Sequence, residues 1–419
     1  MNVPAQNGLK AYTAVTAAYW AFMLTDGALR MLVLLHFHTL GFSPIQLAYL
    51  FVLYEVMGIV TNLSAGWLAA RYGLTSTLYA GLVLQIVALI LLIQLDPGWS
   101  IAASVVFVMG VQGLSGVAKD LAKMSSKSAV KLLAPKGDGT LFRWVALLTG
   151  SKNAVKGLGF LLGAGLLGVV GFTAALTFMA SVLCLILVAT FVFMPPGLPA
   201  GVKGIKFSAV FSNDPNINRL SLARMFLFGA RDTWFVVGIP IFFYSVLSDG
   251  SEESARTAFF LIGSFMALWI ISYGAIQAAA PKLLKTSTQS IDATLATAAR
   301  WIAALVAVTA SLSIAAWYEP PGLFPIIVIG LVLFGLVFAL NSALHSYLIL
   351  AFTSAERVTM DVGFYYMANA AGRLIGTLLS GVSYQIGGLP GCLGMAALLA
   401  FFGWITTRTL ARTPRAVGH

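Results

Sequence analysis

Residues Tyr12–Leu40, YTAVTAAYWAFMLTDGALRMLVLLHFHTL, form the first long apolar stretch of the chain. A helix needs about 20 consecutive apolar residues to cross a bilayer, and this stretch is longer than that. It also exceeds the roughly 7–15-residue apolar core of a cleaved signal peptide, and no small-residue cleavage site follows it. The stretch therefore predicts a membrane-spanning helix, although it contains an acid, Asp26, and a base, Arg30.

Long apolar stretches separated by short polar turns continue along all 419 residues. Hydrophobic residues make up 59% of the chain and charged residues only 9%, and the mean hydropathy is +0.92. A soluble domain carries about 25% charged residues, so this chain has too few to cover its surface in water. A backbone in hydrocarbon must make its hydrogen bonds within the segment, so the composition predicts an all-α membrane protein.

Twelve stretches are long enough to span a bilayer, six on each side of a polar segment that contains PPGLPAGVKG. Their expected bounds are Tyr12–Leu40, Pro44–Ala70, Thr77–Leu95, Ser100–Ala118, Leu141–Val170, Phe172–Met194, Ile217–Leu247, Arg256–Ala280, Arg300–Trp317, Phe324–Phe352, Met360–Ile386 and Cys392–Leu410. We predict an N-terminal six-helix half over 1–194, a cytoplasmic linker over 195–216 and a C-terminal six-helix half over 217–419. Two pseudo-symmetric six-helix halves are typical of major facilitator transporters.

The distribution of lysine and arginine between the loops predicts the orientation. These residues gather in alternate loops, whereas the opposite loops hold mainly Asp and Glu. By the positive-inside rule both termini are cytoplasmic, as expected for a multi-pass protein of a bacterial inner membrane. The net charge of +11 does not indicate nucleic-acid binding, because the basic residues are not gathered in a polar domain with interleaved aromatic residues.

Charged residues also fall inside the expected spans, where each costs about 2.5–3.5 kcal/mol and is by default a functional candidate. Seven embedded bases face only three acids: Arg30, Arg143, Lys152, Lys156, Arg224, Arg231 and Arg373 against Asp26, Glu55 and Asp232. Even if every embedded acid pairs with a base, some of the bases keep an uncompensated positive charge. We therefore expect a small anionic substrate to compensate it. A structural role for single residues stays open: Asp26 and Arg30 are spaced to pair along one helix face, whereas adjacent Arg231 and Asp232 are not.

Arg30 and Arg231 are the strongest predicted ligands, because each lies in the first helix of its half and a guanidinium binds oxyanions through two parallel hydrogen bonds. Lys119 begins a stripe of lysines at every fourth position that either attracts anions or faces lipid. Asp26, Glu55 and Asp232 are candidates for charge pairing or proton coupling. The other predicted substrate-binding residues are Arg143, Lys152, Lys156, Arg373, Asn153, Asn369 and His345.

No metal-ligand cluster, Walker loop or nucleophile elbow occurs in the sequence, so no metal site, cofactor or catalytic residue is predicted. The adjacent Ser151 and Lys152 leave Ser-Lys catalysis open as an alternative from a different class. The expectation is nevertheless a transporter that works as a monomer by alternating access, and not an enzyme. In the fifth span, Gly159 and Gly163 have the spacing that favours close helix contact.

Three charged segments, YWAFMLTDGALRMLVLLHFHTLGFSP, GVAKDLAKMSSKSAVK and LFRWVALLTGSKNAVKGLGF, resemble the ArsJ family of organoarsenical efflux permeases within the major facilitator superfamily. The resemblance implies a functional partnership with glyceraldehyde-3-phosphate dehydrogenase, which makes 1-arseno-3-phosphoglycerate from arsenate. The permease would export this ester and confer arsenate resistance, with the embedded bases binding its arsenate and phosphate ends. The alternative is a transporter of another organophosphate or of an inorganic oxyanion.

Overall fold

The structure is a computed structural model that describes residues 5–72, 74–133, 140–193, 212, 214–284, 290–353 and 358–410. Within these ranges some side chains are outside the description, namely those of residues 5–12, 63, 65–72, 74, 124, 127–133, 140–150, 281 and 358–360. The predicted linker over 195–216 therefore lies almost wholly outside the described residues. The predicted ligand Arg143 lies on a described helix, but its side chain does not belong to the described part.

The described chain contains helices and no strand. The helices are α1 Ala5–Thr39, α2 Pro44–Tyr49, α3 Val52–Tyr72, α4 Leu74–Ile93, α5 Ile101–Leu133, α6 Thr140–Val170, α7 Phe172–Phe193, α8 Pro215–Thr233, α9 Ile239–Leu247, α10 Glu252–Leu283, α11 Ile291–Tyr318, α12 Leu323–Phe352 and α13 Val358–Arg408. A π-helical turn, Trp234–Gly238, joins α8 to α9. The predicted all-helical class is confirmed.

Eleven continuous stretches of the described chain are long and apolar enough to cross a bilayer. The last of them, Asp361–Arg408, is interrupted where Gly387 and Gly388 leave helical geometry. Gly388 has a φ of 57°, which glycine adopts readily, and Pro390 lacks the N–H that would continue the hydrogen bonds of the helix. The stretch thus consists of two spanning segments, and the described residues contain twelve in all, as predicted.

The helix boundaries differ from the prediction at two informative places. The helix expected to begin at Arg300 begins at Ile291, because the Ser290 hydroxyl accepts a hydrogen bond from the Ala293 amide at 3.2 Å and caps it. The helix expected to end at Ala118 continues to Leu133. The charged residues that follow Ala118 are therefore helical rather than part of a loop.

The chain divides into two compact units. As far as they are described, the first comprises Met1–Phe42, Tyr49–Phe207 and Leu247–Ile271, and the second Ser43–Ala48, Ser208–Val246 and Ser272–His419. The division places α2 in the second unit and makes α10 common to both. The buried core of each unit is apolar, with large side chains such as Phe22 and Phe160 in the first and Phe334 and Phe338 in the second.

Helices α1 and α6 approach each other through glycine. A Cβ at Gly27 would lie 2.6 Å from the carbonyl oxygen of Lys156, and one at Gly163 would overlap the backbone of Ala28. Only glycine permits this separation, because the obstructing atoms belong to the backbone and cannot rotate away. The close contact predicted from Gly159 and Gly163 is present, and it holds the charged residues of α1 and α6 near each other.

Substitution of Gly163 by alanine is expected to lower the stability of the protein by about 1–3 kcal/mol, the range for overpacking a tight contact. The matched control is Gly110→Ala in α5, since a Cβ there meets nothing within 4 Å. Thermal unfolding of the purified variants in detergent would measure both effects. Equal melting temperatures for the two variants would contradict the tight α1–α6 contact.

Candidate functional site

In the first unit, Arg30 of α1 forms an ion pair with Glu55 of α3. The Nη2 atom of Arg30 lies 2.6 Å from Oε1 of Glu55, whose side chain is fully buried. The guanidinium also lies 5.2 Å from the ring centroids of both Phe51 and Tyr54. Its side chain nevertheless remains 11% exposed. The strongest predicted ligand of this unit is therefore already held by a carboxylate and two aromatic rings.

The four-residue spacing suggested that Asp26 could pair with Arg30, but the structure gives Asp26 other partners. Its Oδ1 accepts a hydrogen bond from the Tyr54 hydroxyl at 2.7 Å, and its Oδ2 lies 4.0 Å from Nζ of Lys156. Arg30 instead reaches across to α3, where a fully buried carboxylate requires a cation more strongly. The predicted pairing of Asp26 with Arg30 along one helix face is therefore wrong, because both residues contact partners on neighbouring helices instead.

A second carboxylate centre in this unit is Asp120 of α5, which was not among the predicted site residues. It is fully buried and accepts hydrogen bonds from the Thr61 hydroxyl at 2.6 Å and from Nζ of Lys123 at 2.9 Å. Lys119 Nζ lies 3.9 Å away, and Lys123 also donates to Asn62 at 2.6 Å. An acid between two lysines in an apolar helix was the available signal, but the helix was expected to end before it.

Lys119 is therefore a buried residue of the cluster and not the start of a solvated stripe. Its side chain is 9% exposed, and its Nζ lies 4.1 Å from the centroid of the Tyr54 ring. Lys123 turns to the same carboxylate, Asp120. The last two predicted members of the stripe, Lys127 and Lys131, have side chains outside the described part. On α6, Lys152, Asn153 and Lys156 are all partly exposed.

In the second unit, Arg231 and Arg373 share Asp232. Arg231 Nη2 lies 2.5 Å from Asp232 Oδ1, its Nε donates to the same oxygen at 2.6 Å, and Arg373 Nε lies 3.5 Å from Oδ2. The expectation that adjacent Arg231 and Asp232 would not face each other is wrong. An arginine side chain is long enough to curl around the helix, and the guanidinium rests 4.7 Å from the Phe228 ring centroid.

Arg224, also in α8, is held by neutral groups. Its Nε donates to Asn369 Oδ1 at 3.1 Å, and its Nη1 donates to the carbonyl and hydroxyl oxygens of Ser342 at 3.0 Å each. The predicted ligand His345 is fully buried one helical turn beyond Ser342. Asn369 and His345 thus belong to the surroundings of Arg224, which was counted as an embedded base but not proposed as a ligand.

The clusters can be compared by charge. That of the first unit joins four bases to three acids, Arg30, Lys119, Lys123 and Lys156 with Asp26, Glu55 and Asp120. Lys152 lies on the same helix as Lys156. In the second unit Arg231 and Arg373 share the one acid Asp232, and Arg224 is a third base on the same helix as Arg231 that bonds Asn369 and Ser342 instead. More bases are paired than the sequence suggested, but in each unit positive charge exceeds negative charge.

The architecture can be compared with known proteins. A solved structure described as a bacterial homologue of the iron transporter ferroportin, in an outward-facing state, superposes with a TM-score of 0.64. The match covers 96% of this chain and 99% of the other at 12% sequence identity. This chain has the major facilitator fold. No family model and no curated protein matches its sequence.

The major facilitator fold, together with the long apolar helices, makes the chain a multi-pass membrane protein. At 12% identity the likeness concerns the fold alone and gives no support to the resemblance with the ArsJ family. Within the fold, the first cluster is built by α1, α3, α5 and α6, and the second by α8, α12 and α13. Every predicted ligand with a described side chain lies on one of these helices.

Proposed function

We propose that this protein is a membrane transporter that exports 1-arseno-3-phosphoglycerate and thereby confers arsenate resistance. The observation that carries the proposal is the excess of basic over acidic side chains within each unit. Embedding an unmatched charge in a membrane protein is costly, and such charges mark substrate pathways. An anion with two oxyanion ends would compensate the excess during transport.

The exposure of the basic side chains supports an anionic cargo. Lys156 and Arg373 are each 16% exposed and Arg231 is 12% exposed, so the carboxylate pairs are not sealed from small solutes. The same charges disfavour a metal cation, which would meet more bases than acids in either unit. The iron in the description of the similar solved structure is therefore not carried over to this chain.

The choice of the arsenate ester rests on the three segments that resemble the ArsJ family. The first contains Asp26 and Arg30, the second Lys119 to Lys123, and the third Lys152 to Lys156. These are the segments that supply most of the first charge cluster. The resemblance is thus concentrated at the residues that would contact cargo. Another organophosphate or an inorganic oxyanion remains the alternative cargo, because it would need the same bases.

Inverted membrane vesicles from cells that express the protein would test the proposal, since export appears there as uptake. The ester is generated outside the vesicles from glyceraldehyde 3-phosphate, NAD and arsenate by the dehydrogenase. We expect arsenic to accumulate only when both the transporter and the dehydrogenase are present. Uptake of 3-phosphoglycerate without arsenic would assign the alternative cargo, and uptake of neither by vesicles that contain folded protein would overturn anion transport.

A further inference from the structure

Arg224 differs from the other arginines of the two clusters in having no carboxylate partner among the described residues. Arg30, Arg231 and Arg373 each lie within 4.0 Å of a carboxylate oxygen. Arg224 donates instead to Asn369 and Ser342, which are neutral, and its residue is only 4% exposed. A buried charge without a counter-charge is unfavourable unless a ligand supplies one.

The guanidinium of Arg224 is nevertheless rigidly placed. Three hydrogen bonds of 3.0–3.1 Å fix its Nε and Nη1 atoms, and the ring centroids of Phe228 and Tyr365 lie 4.2 and 5.0 Å from its central carbon. Its Nη2 atom donates none of the hydrogen bonds found among the described residues. A positioned cation with a donor to spare loses little conformational entropy when it binds an oxyanion.

His345 provides a second polar group at the same place. Its ring is fully buried, and neither Nδ1 nor Nε2 has a hydrogen-bond partner among the described residues. His345 follows Ser342 by three residues on α12, so the imidazole lies on the helix face that bonds Arg224. A buried polar group without a partner costs about 1–3 kcal/mol, which a bound anion would recover.

The geometry points to an anion-binding subsite formed by Arg224 and His345 in the second unit, which takes a phosphate-type oxyanion. Asn369 and Ser342 are its positioning residues. An anion that binds Arg30 or Arg231 must compete with Glu55 or Asp232, whereas at Arg224 no carboxylate has to be displaced. If the proposed transport function holds, this subsite binds one oxyanion end of the cargo.

The sharpest variant is Asn369→Asp, because it supplies the missing carboxylate 3.1 Å from Arg224 with almost no change of shape. Inorganic phosphate is titrated into the purified full-length protein in a phospholipid-free detergent, with binding followed by calorimetry. We expect Asn369→Asp and Arg224→Gln to weaken phosphate binding at least about tenfold. Asn369→Asp should also melt at or above the wild-type temperature, because its carboxylate compensates the charge of Arg224, and this separates lost binding from lost folding.

Arg219→Gln is the matched control, since Arg219 lies on the same helix but is exposed and donates to the Thr409 carbonyl. It should bind phosphate as the wild type does. A phospholipid headgroup offers the same chemistry, so the titration is repeated with added anionic phospholipid; occupancy by lipid but not by phosphate would overturn the proposal. Wild-type affinity in Asn369→Asp, or no phosphate binding by the wild type, would overturn it as well.

The result is independent of the identity of the cargo. Phosphate binding that depends on Arg224, in a protein whose vesicles take up no arsenic, would retain the subsite and reject arsenate-ester export. Arsenic uptake that is undiminished in Asn369→Asp would retain the export function and reject binding of the cargo at this subsite. The two proposals therefore fail separately.

Discussion

Replacement of Glu55 by glutamine is expected to destabilise the protein by about 3–5 kcal/mol, which is a large part of the roughly 5–15 kcal/mol that stabilises a typical protein. Glutamine preserves the shape of the side chain but removes the charge that lies 2.6 Å from Arg30. Arg30 is then left at membrane depth between two aromatic rings without its counter-charge. Thermal unfolding of the purified variant measures the loss.

The double variant Arg30→Gln with Glu55→Gln separates a structural ion pair from a substrate ligand. Removing both charges together leaves no unmatched ion, so most of the stability lost in the single variant should return. Transport should not return, because the oxyanion ligand is missing. Stability is read from the melting temperature and transport from arsenic uptake by inverted vesicles. A double variant that is both stable and fully active would show that Arg30 serves only to neutralise Glu55.

The spanning helices could be predicted from the sequence because their cause is local. A bilayer demands about 20 apolar residues and a backbone that bonds to itself, and both requirements can be read along the chain. The end of α5 was misplaced because it depends on contacts with other parts of the chain, which cannot be read locally. The span was expected to end at Ala118, before the lysine stripe that begins at Lys119. Asp120 and Asn62 contact Lys119 and Lys123 inside the fold, and the helix continues to Leu133.

The ionic partners could not be predicted, because they are chosen by tertiary contacts. Glu55 lies 25 residues from Arg30 along the chain, and no spacing rule within one helix connects them. Spacing along one helix suggested that Asp26 could pair with Arg30 and that Asp232 would not pair with the adjacent Arg231. Both suggestions were wrong, because Asp26 accepts a hydrogen bond from Tyr54 and Asp232 pairs with Arg231. The surplus of bases was predictable as a count, whereas Arg224, the base without a carboxylate, emerged only from the contacts.

Substitution of Asp232 by asparagine is expected to have an effect at least as large as that of Glu55→Gln, because one carboxylate serves two arginines. Asp232 is 1% exposed, with Arg231 at 2.5 Å and Arg373 at 3.5 Å. Asparagine leaves two guanidinium groups close together with no negative charge between them. We expect a loss of about 3–5 kcal/mol or more, measured by thermal unfolding in detergent.

Glu252→Gln is the matched control, since Arg256 and Glu252 also pair at 2.5 Å but are 55% and 83% exposed. Water screens that pair, so its loss should change stability by about 0–1 kcal/mol. Added phosphate gives a second readout: it should raise the melting temperature of Asp232→Asn more than that of the wild type, because the anion can replace the missing carboxylate between Arg231 and Arg373. The view that burial makes the Asp232 pairs important for stability would be contradicted by equal losses of stability in the two variants. It would also be contradicted if phosphate raised the melting temperature of Glu252→Gln alone.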